Sequence, residues 1–235
     1  MVKVAGFTIF KNERLNQIVY VCAMIYNNVI AREVAEYLLE IKAVVLQPEN
    51  PFTWASGLKS PIYCDNRKTL SFPKVRRCIK NAFVDIISEE FASCDVIAGV
   101  ATAGIPHGAL VADVLNKPFI YVRDKPKGHG LENRIEGKLE VGQKVVLIED
   151  LISTGGSSLK AAEAVREAGA EVIGLGAIFT YGFQKAEDAF AEAKCPYFTL
   201  SDYPTLIQKA LANHLVSEVD EKTLMNWYKN PEGWK

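Results

Sequence analysis

Two adjacent carboxylates, Glu149 and Asp150, followed by Ser153-Thr-Gly-Gly-Ser157, are the residues of this chain whose types and spacing point most directly to chemistry. Small hydroxyl residues and glycines that open a helix leave backbone N–H groups free to hold an anion, and glycine lets the anion come close. Carboxylates repel phosphate, so the acid pair must serve another part of the same ligand. Ribose hydroxyls donate hydrogen bonds to carboxylates and fit that part. The stretch therefore reads as a cradle for a phosphorylated sugar. The alternative is a tight turn closing an ordinary strand–helix unit, with the acids solvated at a sheet edge.

Three further stretches carry residue types suited to the same task. Gly99 to His107 places Ala101, Thr102, Ala103 and Gly104 between a strand and a helix, a second turn that a ligand could approach closely. Its alternative is close packing of helix on sheet, and His107 reads as a packing or capping histidine. Tyr121 to Gly137 is a long polar connection holding Arg123, Lys125, Lys127, His129 and Arg134. Cations on a connection of this length can close over a developing anionic leaving group and exclude water, or can simply be a solvated loop. Phe52 to Arg67 carries aromatics, hydroxyls and amides that could wall a flat polar ring, with Arg67 placed to meet a carboxylate; a structural hairpin is the alternative.

Two rival phosphate motifs are excluded. A P-loop needs G-x-x-x-x-G-K-[ST], but Gly99-Val-Ala-Thr-Ala-Gly104 is followed by Ile105-Pro106. A dinucleotide fold opens with G-x-G-x-x-G, and both Gly128-His-Gly130 and Gly174-Leu-Gly176 lack the third glycine.

The elements that must position these residues follow from hydrophobic periodicity. Val145 to Ile148 is an apolar, branched run, as in a parallel strand covered on both faces. Leu159, Ala162, Val165 and Arg166 continue as a helix that ends at Gly169. Upstream, Val34, Leu38, Leu39, Ile41 and Val44 mark a helix over 29–44, and Phe52–Ser56 with Pro61–Asn66 mark a hairpin. Ser71-Phe72-Pro73 opens a helix to about Phe91. Strands and helices then alternate: strand 96–101, helix 105–115, strand 119–122, polar stretch 124–142, strand 145–148, strand 172–180, helix 185–193 and strand 197–200. Helices near 203–213 and 218–229 finish the chain. This order predicts an α/β fold with a doubly wound, mainly parallel sheet and a smaller N-terminal subdomain.

The chain has 235 residues, with 49% hydrophobic and 23% charged, an ordinary globular balance. A formal net charge of −1 argues against bulk binding to nucleic acid or an anionic membrane, so any anion site must be local. The five cysteines, Cys22, Cys64, Cys78, Cys94 and Cys195, are widely spaced without a C-x-x-C, which favours reduced thiols in a cytoplasmic protein. The apolar patch Ile18–Tyr26 is too short to span a bilayer and lacks a cleavage site behind it. Residues 1–26 read as an extension or leading segment, and a coherent domain runs over 27–235.

Taken together these residues resemble the phosphoribosyltransferases, and specifically the orotate phosphoribosyltransferase family. Val145 to Ser157 resembles the superfamily's 5-phosphoribosyl 1-diphosphate (PRPP) motif. Ser56-Gly57, Ser60-Pro61-Ile62-Tyr63 and Arg123-x-x-x-Lys127-x-His129-Gly130 narrow the resemblance to the orotate enzymes, over about residues 27 to 215.

The resemblance implies a hood over about 27–70, a core over about 71–215 and C-terminal helices to 235. It implies that PRPP is bound by Glu149, Asp150, Leu151, Ile152, Ser153, Thr154, Gly155, Gly156 and Ser157, with the acids on the ribose hydroxyls and Ser153 to Ser157 on the 5′-phosphate. Arg123, Lys127 and His129 are implied as the catalytic cations that contact pyrophosphate, and Ser153, Tyr63 and Arg67 as the orotate contacts. Ala101 to Gly104 matches the family's pyrophosphate loop. Mg²⁺ is implied as the cofactor, bound mainly through PRPP with no direct protein ligand. A cytoplasmic homodimer in pyrimidine biosynthesis is implied, each mobile loop acting on the partner's active site.

Departures fall on the orotate side. Ala55 and Ala103 stand where some members carry lysine, Asp124 replaces a basic residue, and Tyr181-Gly182 occupy the place of an orotate-gripping arginine, with Lys125, Lys59 and Arg67 as possible substitutes. Enzymes acting on a purine or uracil are disfavoured by Ser60–Arg67 and His129. A PRPP-sensing regulator is disfavoured by the basic connection, and a bifunctional decarboxylase would need a further barrel of about 200 residues or more.

Overall fold

The run Val145–Ile148 lies at the centre of the molecule because both of its faces are covered. Val145 and Leu147 pack into one apolar cluster, with Ala162, Val165 and Phe190; Val146 and Ile148 pack into the other, with Leu38, Ile79 and Phe83. All four are fully buried. The two-residue period of a strand thus divides four consecutive apolar residues between two cores.

The computed structural model describes residues 2–4, 7–12, 17–19, 23–54, 57–124 and 134–234, with side chains from Ile25 onward. Strands β1 (Val2–Val4), β2 (Phe7–Asn12) and β3 (Gln17–Val19) form a small antiparallel sheet. Then come β4 (Ala23–Ile25), α1 (Asn28–Glu40), β5 (Val44–Leu46), β6 (Phe52–Thr53), β7 (Lys59–Ser60) and β8 (Ile62–Cys64). A 3-10 turn at Asn66–Ser71 leads into α2 (Pro73–Glu90), β9 (Val96–Val100), α3 (Gly104–Leu115), β10 (Phe119–Val122) and β11 (Ile135–Glu136). The chain ends with β12 (Lys144–Ile152), α4 (Gly156–Glu167), β13 (Glu171–Thr180), α5 (Gln184–Glu192), β14 (Tyr197–Asp202), α6 (Tyr203–Ala212) and α7 (Glu218–Lys229).

The main sheet has the order β11-β10-β9-β12-β13-β14-β4, parallel throughout except for β11. From β9 the chain moves outward to β10, then returns to the other side of β9 with β12. The strand order therefore reverses between β9 and β12, and the crevice beyond their carboxyl ends is where such sheets bind ligands. Both anion-type turns of the sequence open onto that crevice.

Five details differ from the periodicity. The central strand runs to Ile152, because β13 offers pairing as far as Thr180; Glu149 and Asp150 therefore lie inside the strand, and the turn is confined to 153–155. Val44 is a strand residue, not the end of the first helix: α1 stops at Glu40, and Lys42 turns the chain with a φ of 54°. The hairpin is split, since β6 pairs with β7 while β8 pairs with β5. The polar stretch 124–142 contains β11, which pairs antiparallel with β10. β4, within the leading segment, joins the main sheet beside β14.

α3 enters the crevice so closely that Gly104 has no room for a side chain. A Cβ there would run into the Ile148 carbonyl oxygen and come within 3.2 Å of the Glu149 Cα. Both obstacles are backbone and cannot swing aside. Gly104→Ala is expected to cost about 1–3 kcal/mol through overpacking, read as a lowered urea midpoint with an unchanged slope.

Candidate active site

Alternation along β12 sends Glu149 to the α4 side of the sheet. Its Oε2 accepts a hydrogen bond from Ser158 Oγ at 3.2 Å, and its Oε1 accepts from the Asp150 N–H at 3.0 Å. Glu149 is only 5% exposed. Burial, reinforced by the neighbouring Asp150 charge, holds its carboxyl well above the usual carboxylate range. Burial also raises Asp150, which is half-buried.

The 153–155 turn ends in Gly155, whose φ of 80° belongs to the left-handed region. A Cβ there would meet the Phe190 ring at 2.7 Å, so both conformation and space require glycine. No side chain caps α4. Thr154, Gly156 and Ser157 are exposed, and the first-turn N–H groups point out at the crevice end of the helix. Such an arrangement can hold an anion on backbone N–H groups beside a carboxyl pair.

Asn66 ties the preceding 3-10 turn to this strand end. It is 1% exposed, and its Nδ2 donates to the Asp150 carbonyl at 2.7 Å, while Cys64 Sγ donates to its Oδ1 at 3.3 Å. Burial, then the Asp150 charge, pushes the Cys64 thiol up, so it remains a donor. Thr69 Oγ1 donates to the Asn66 carbonyl at 2.6 Å and must accept from His107 Nε2–H at 3.2 Å. This fixes the tautomer of His107, a buried residue that burial, with the Arg76 charge, lowers to about 4. His107 is neutral at pH 7 and packs α3 against the turn.

The connection after β10 begins and ends at the crevice. The Arg123 N–H donates to the Arg134 carbonyl at 2.8 Å, and Arg123 Nη1 faces Glu136 Oε1 at 3.3 Å. Arg123, Arg134, Ala101 and Ser157 line one narrow crevice. Arg123 is thus brought to the start of α4. Lys125, Lys127 and His129 lie outside the described residues.

On the other side of Ser153 lies a slot of about 330 Å³ walled by Trp54, Tyr63, Cys64, Leu151 and Tyr181. Tyr63 and Ser153 are brought together there. Arg67 is not among the lining residues: its Nε pairs with Asp65 Oδ1 at 2.6 Å, and its side chain is largely exposed. Ile152 is fully buried, so only its backbone faces the turn, whereas Leu151 lines the slot. Ala103 stands at the start of α3, and Ala55 lies outside the described residues.

Sequence reasoning placed a helix over 218–229, as observed, but missed its part in the site, together with the parts of Asn66 and Tyr181. Tyr181 touches Trp54 at 5.5 Å and Trp227 of α7 at 5.8 Å between ring centroids. Trp227 Nε1 donates to the Lys59 carbonyl, and Tyr228 OH to the Gly182 carbonyl. α7 therefore clamps β7 and the end of β13 together. The adjacent aromatics Trp227-Tyr228, near the end of a helix rich in charged residues, were the available signal.

An acid pair and an uncapped helix start at the reversal point of a parallel sheet define a sugar-phosphate-handling α/β class, and the model of the phosphoribosyl transferase domain matches residues 69–213. An orotate phosphoribosyltransferase of Cytophaga hutchinsonii is 58% identical over 204 residues, covering 87% of this chain and 98% of that protein. The chain belongs to the orotate phosphoribosyltransferase family. Among solved structures, orotate phosphoribosyltransferase from Aeropyrum pernix superposes with a TM-score of 0.67 at 28% identity, covering 75% of this chain and 97% of that one. UMP synthase of Leishmania donovani gives 0.72 at 25% identity, over 85% of this chain but only 42% of the larger one.

The raised Glu149 carboxyl has a measurable consequence. The folded chain keeps a proton there that the unfolded chain has released at neutral pH. This stabilising contribution is complete below the unfolded carboxylate value and is lost as pH rises through the raised folded value. The unfolding free energy of the unliganded protein is expected to fall between about pH 5 and about pH 9, and Glu149→Gln is expected to flatten that fall. Urea midpoints across the range decide it; equal slopes in both proteins would contradict the assignment.

Proposed function

We propose that this chain transfers the 5-phosphoribosyl group of PRPP to orotate, yielding orotidine 5′-monophosphate and pyrophosphate in pyrimidine nucleotide synthesis. The observation that carries this reading is the meeting, at one reversal point, of a buried acid pair with an uncapped, hydroxyl-rich helix start. The names and coverage of its relatives support it.

In this mechanism Glu149 and Asp150 take the ribose hydroxyls, and the backbone of 153–157 takes the 5′-phosphate. Leu151 and Ile152 hold those groups in place from the strand end. Orotate, seated against Ser153 and Tyr63, attacks C1 of the ribose through N1. The N1–C1 bond forms as the C1–oxygen bond to pyrophosphate breaks, through a transition state of oxocarbenium character. Arg123, Lys127 and His129 stabilise the negative charge that grows on the leaving group, and closure of their connection keeps water from C1. Arg67, held by Asp65, contributes to orotate recognition only if that pair opens. Mg²⁺ accompanies PRPP and neutralises its diphosphate when bound; the carboxyl and hydroxyl oxygens of Glu149, Asp150, Ser153 and Thr154 would suit a hard dication held mainly by PRPP itself.

The same reading makes the protein a cytoplasmic homodimer whose basic connection after β10 serves the partner's active site. Residues 27–235 form its catalytic domain, with β4 supplied to the sheet by the leading segment.

The assay that tests this is PRPP-dependent consumption of orotate beside uracil, hypoxanthine and adenine. Orotate is expected to be the base consumed; preference for another base overturns the reading. Lys127→Ala is expected to lower kcat by about 100-fold while changing the KM for PRPP far less. An unchanged kcat with a raised KM would remove Lys127 from the leaving-group role.

A further inference from the structure

The slot beside Ser153 is lined by Thr53, Trp54, Tyr63, Cys64, Leu151 and Tyr181, and none of these carries a formal charge at neutral pH. A flat neutral ring would be satisfied by such walls. Orotate is not neutral: it differs from uracil by a ring carboxylate, and a carboxylate entering an aromatic slot needs a cation within reach.

Ser153 and Trp54 also line a second cavity of about 420 Å³, bordered on its far side by residues 228–232, which are the last two residues of α7 and the three after it. Two cations line it, Lys185 and Lys229. Lys185 is the better placed. It belongs to the first turn of α5, two residues after Phe183, which stacks on Tyr181 at 5.3 Å between centroids and 9° between planes. Tyr181 is itself a wall of the slot. Lys185 also already faces a carboxylate from its own chain: Glu232 Oε1 lies 3.7 Å from its Nζ, with both side chains largely exposed. The pair is loose and solvated, so a ligand carboxylate can replace Glu232 at little cost.

We propose that Lys185 is a specificity-determining residue of this site, receiving the carboxylate of a planar heteroaromatic acid whose ring lies in the slot walled by Trp54, Tyr63 and Tyr181. The inference rests on the reading of orotate as substrate and adds the group that separates orotate from uracil. Residues 228–232 then act as the outer wall of the substrate site, and Glu232 holds the position that the substrate's carboxylate takes over.

The test uses the full chain and four proteins: wild type, Lys185→Ala, Lys185→Arg and Lys229→Ala. Lys185→Ala is expected to raise the KM for orotate by about ten-fold or more, as loss of a charged hydrogen bond does, and to leave the KM for PRPP within about two-fold. The preference for orotate over uracil should narrow by a similar factor, and Lys185→Arg should recover most of it. Because the side chain is exposed, thermal unfolding should match wild type. An unchanged orotate KM and an unchanged orotate-to-uracil ratio in Lys185→Ala overturn the proposal while leaving the proposed activity intact. So does an equal rise of both KM values, which marks a structural effect, or an equal response of Lys229→Ala. Absence of orotate turnover in wild type removes the activity and the proposal together.

Discussion

Glu149 sits inside a strand covered on both faces, beside a second carboxyl, with two hydrogen-bond donors turned toward it. Ionising both acids in that place without a ligand would leave like charges close together in a poorly solvated pocket. The rest of the site answers that constraint. Ser158 and the Asp150 amide hold Glu149, Asn66 holds the Asp150 peptide, and the open end of α4 points its partial positive charge toward the crevice. The arrangement is poised for a ligand that brings hydroxyl donors to the acids and an anion to the helix in one piece.

Much of the core was legible before any coordinates. Val145–Ile148 could only be a doubly covered strand, and the alternation of strands with helices after residue 96 left few topologies open. The acid pair and the glycine-rich turn were legible because their chemistry is local: the residues that matter are neighbours in the chain. The stretch between α1 and α2 was harder. Strands of two or three residues such as β6, β7 and β8 carry almost no period, so their pairing is decided by contacts with distant segments. Val44 illustrates this. Its apolar side chain fits the end of a helix as well as a strand, and pairing with Cys64 decides between them.

The roles of Asn66 and α7 were hidden for a related reason. A buried amide looks like any polar turn residue until its partner, 84 positions away, is known. Trp227 meets Trp54, Tyr181 and Tyr203, none of them near it in sequence. The walls of the slot beside Ser153 are therefore assembled from the hairpin, the end of β13 and, behind them, the C-terminal helix. A substitution in α7 acts on the slot through stacked rings, without any residue of the helix core touching a ligand there.

Strand β4 carries one more meaning. A parallel sheet that ended at β14 would present that strand's backbone N–H and C=O groups as an unpaired rim, open to a strand of another molecule. Ala23, Met24 and Ile25 lie along Tyr197, Phe198 and Thr199 and occupy those groups. Three residues near the beginning of the chain thus make a very short strand the outer edge beside Tyr197–Thr199, and a short edge offers another molecule little to pair with, a duty separate from catalysis.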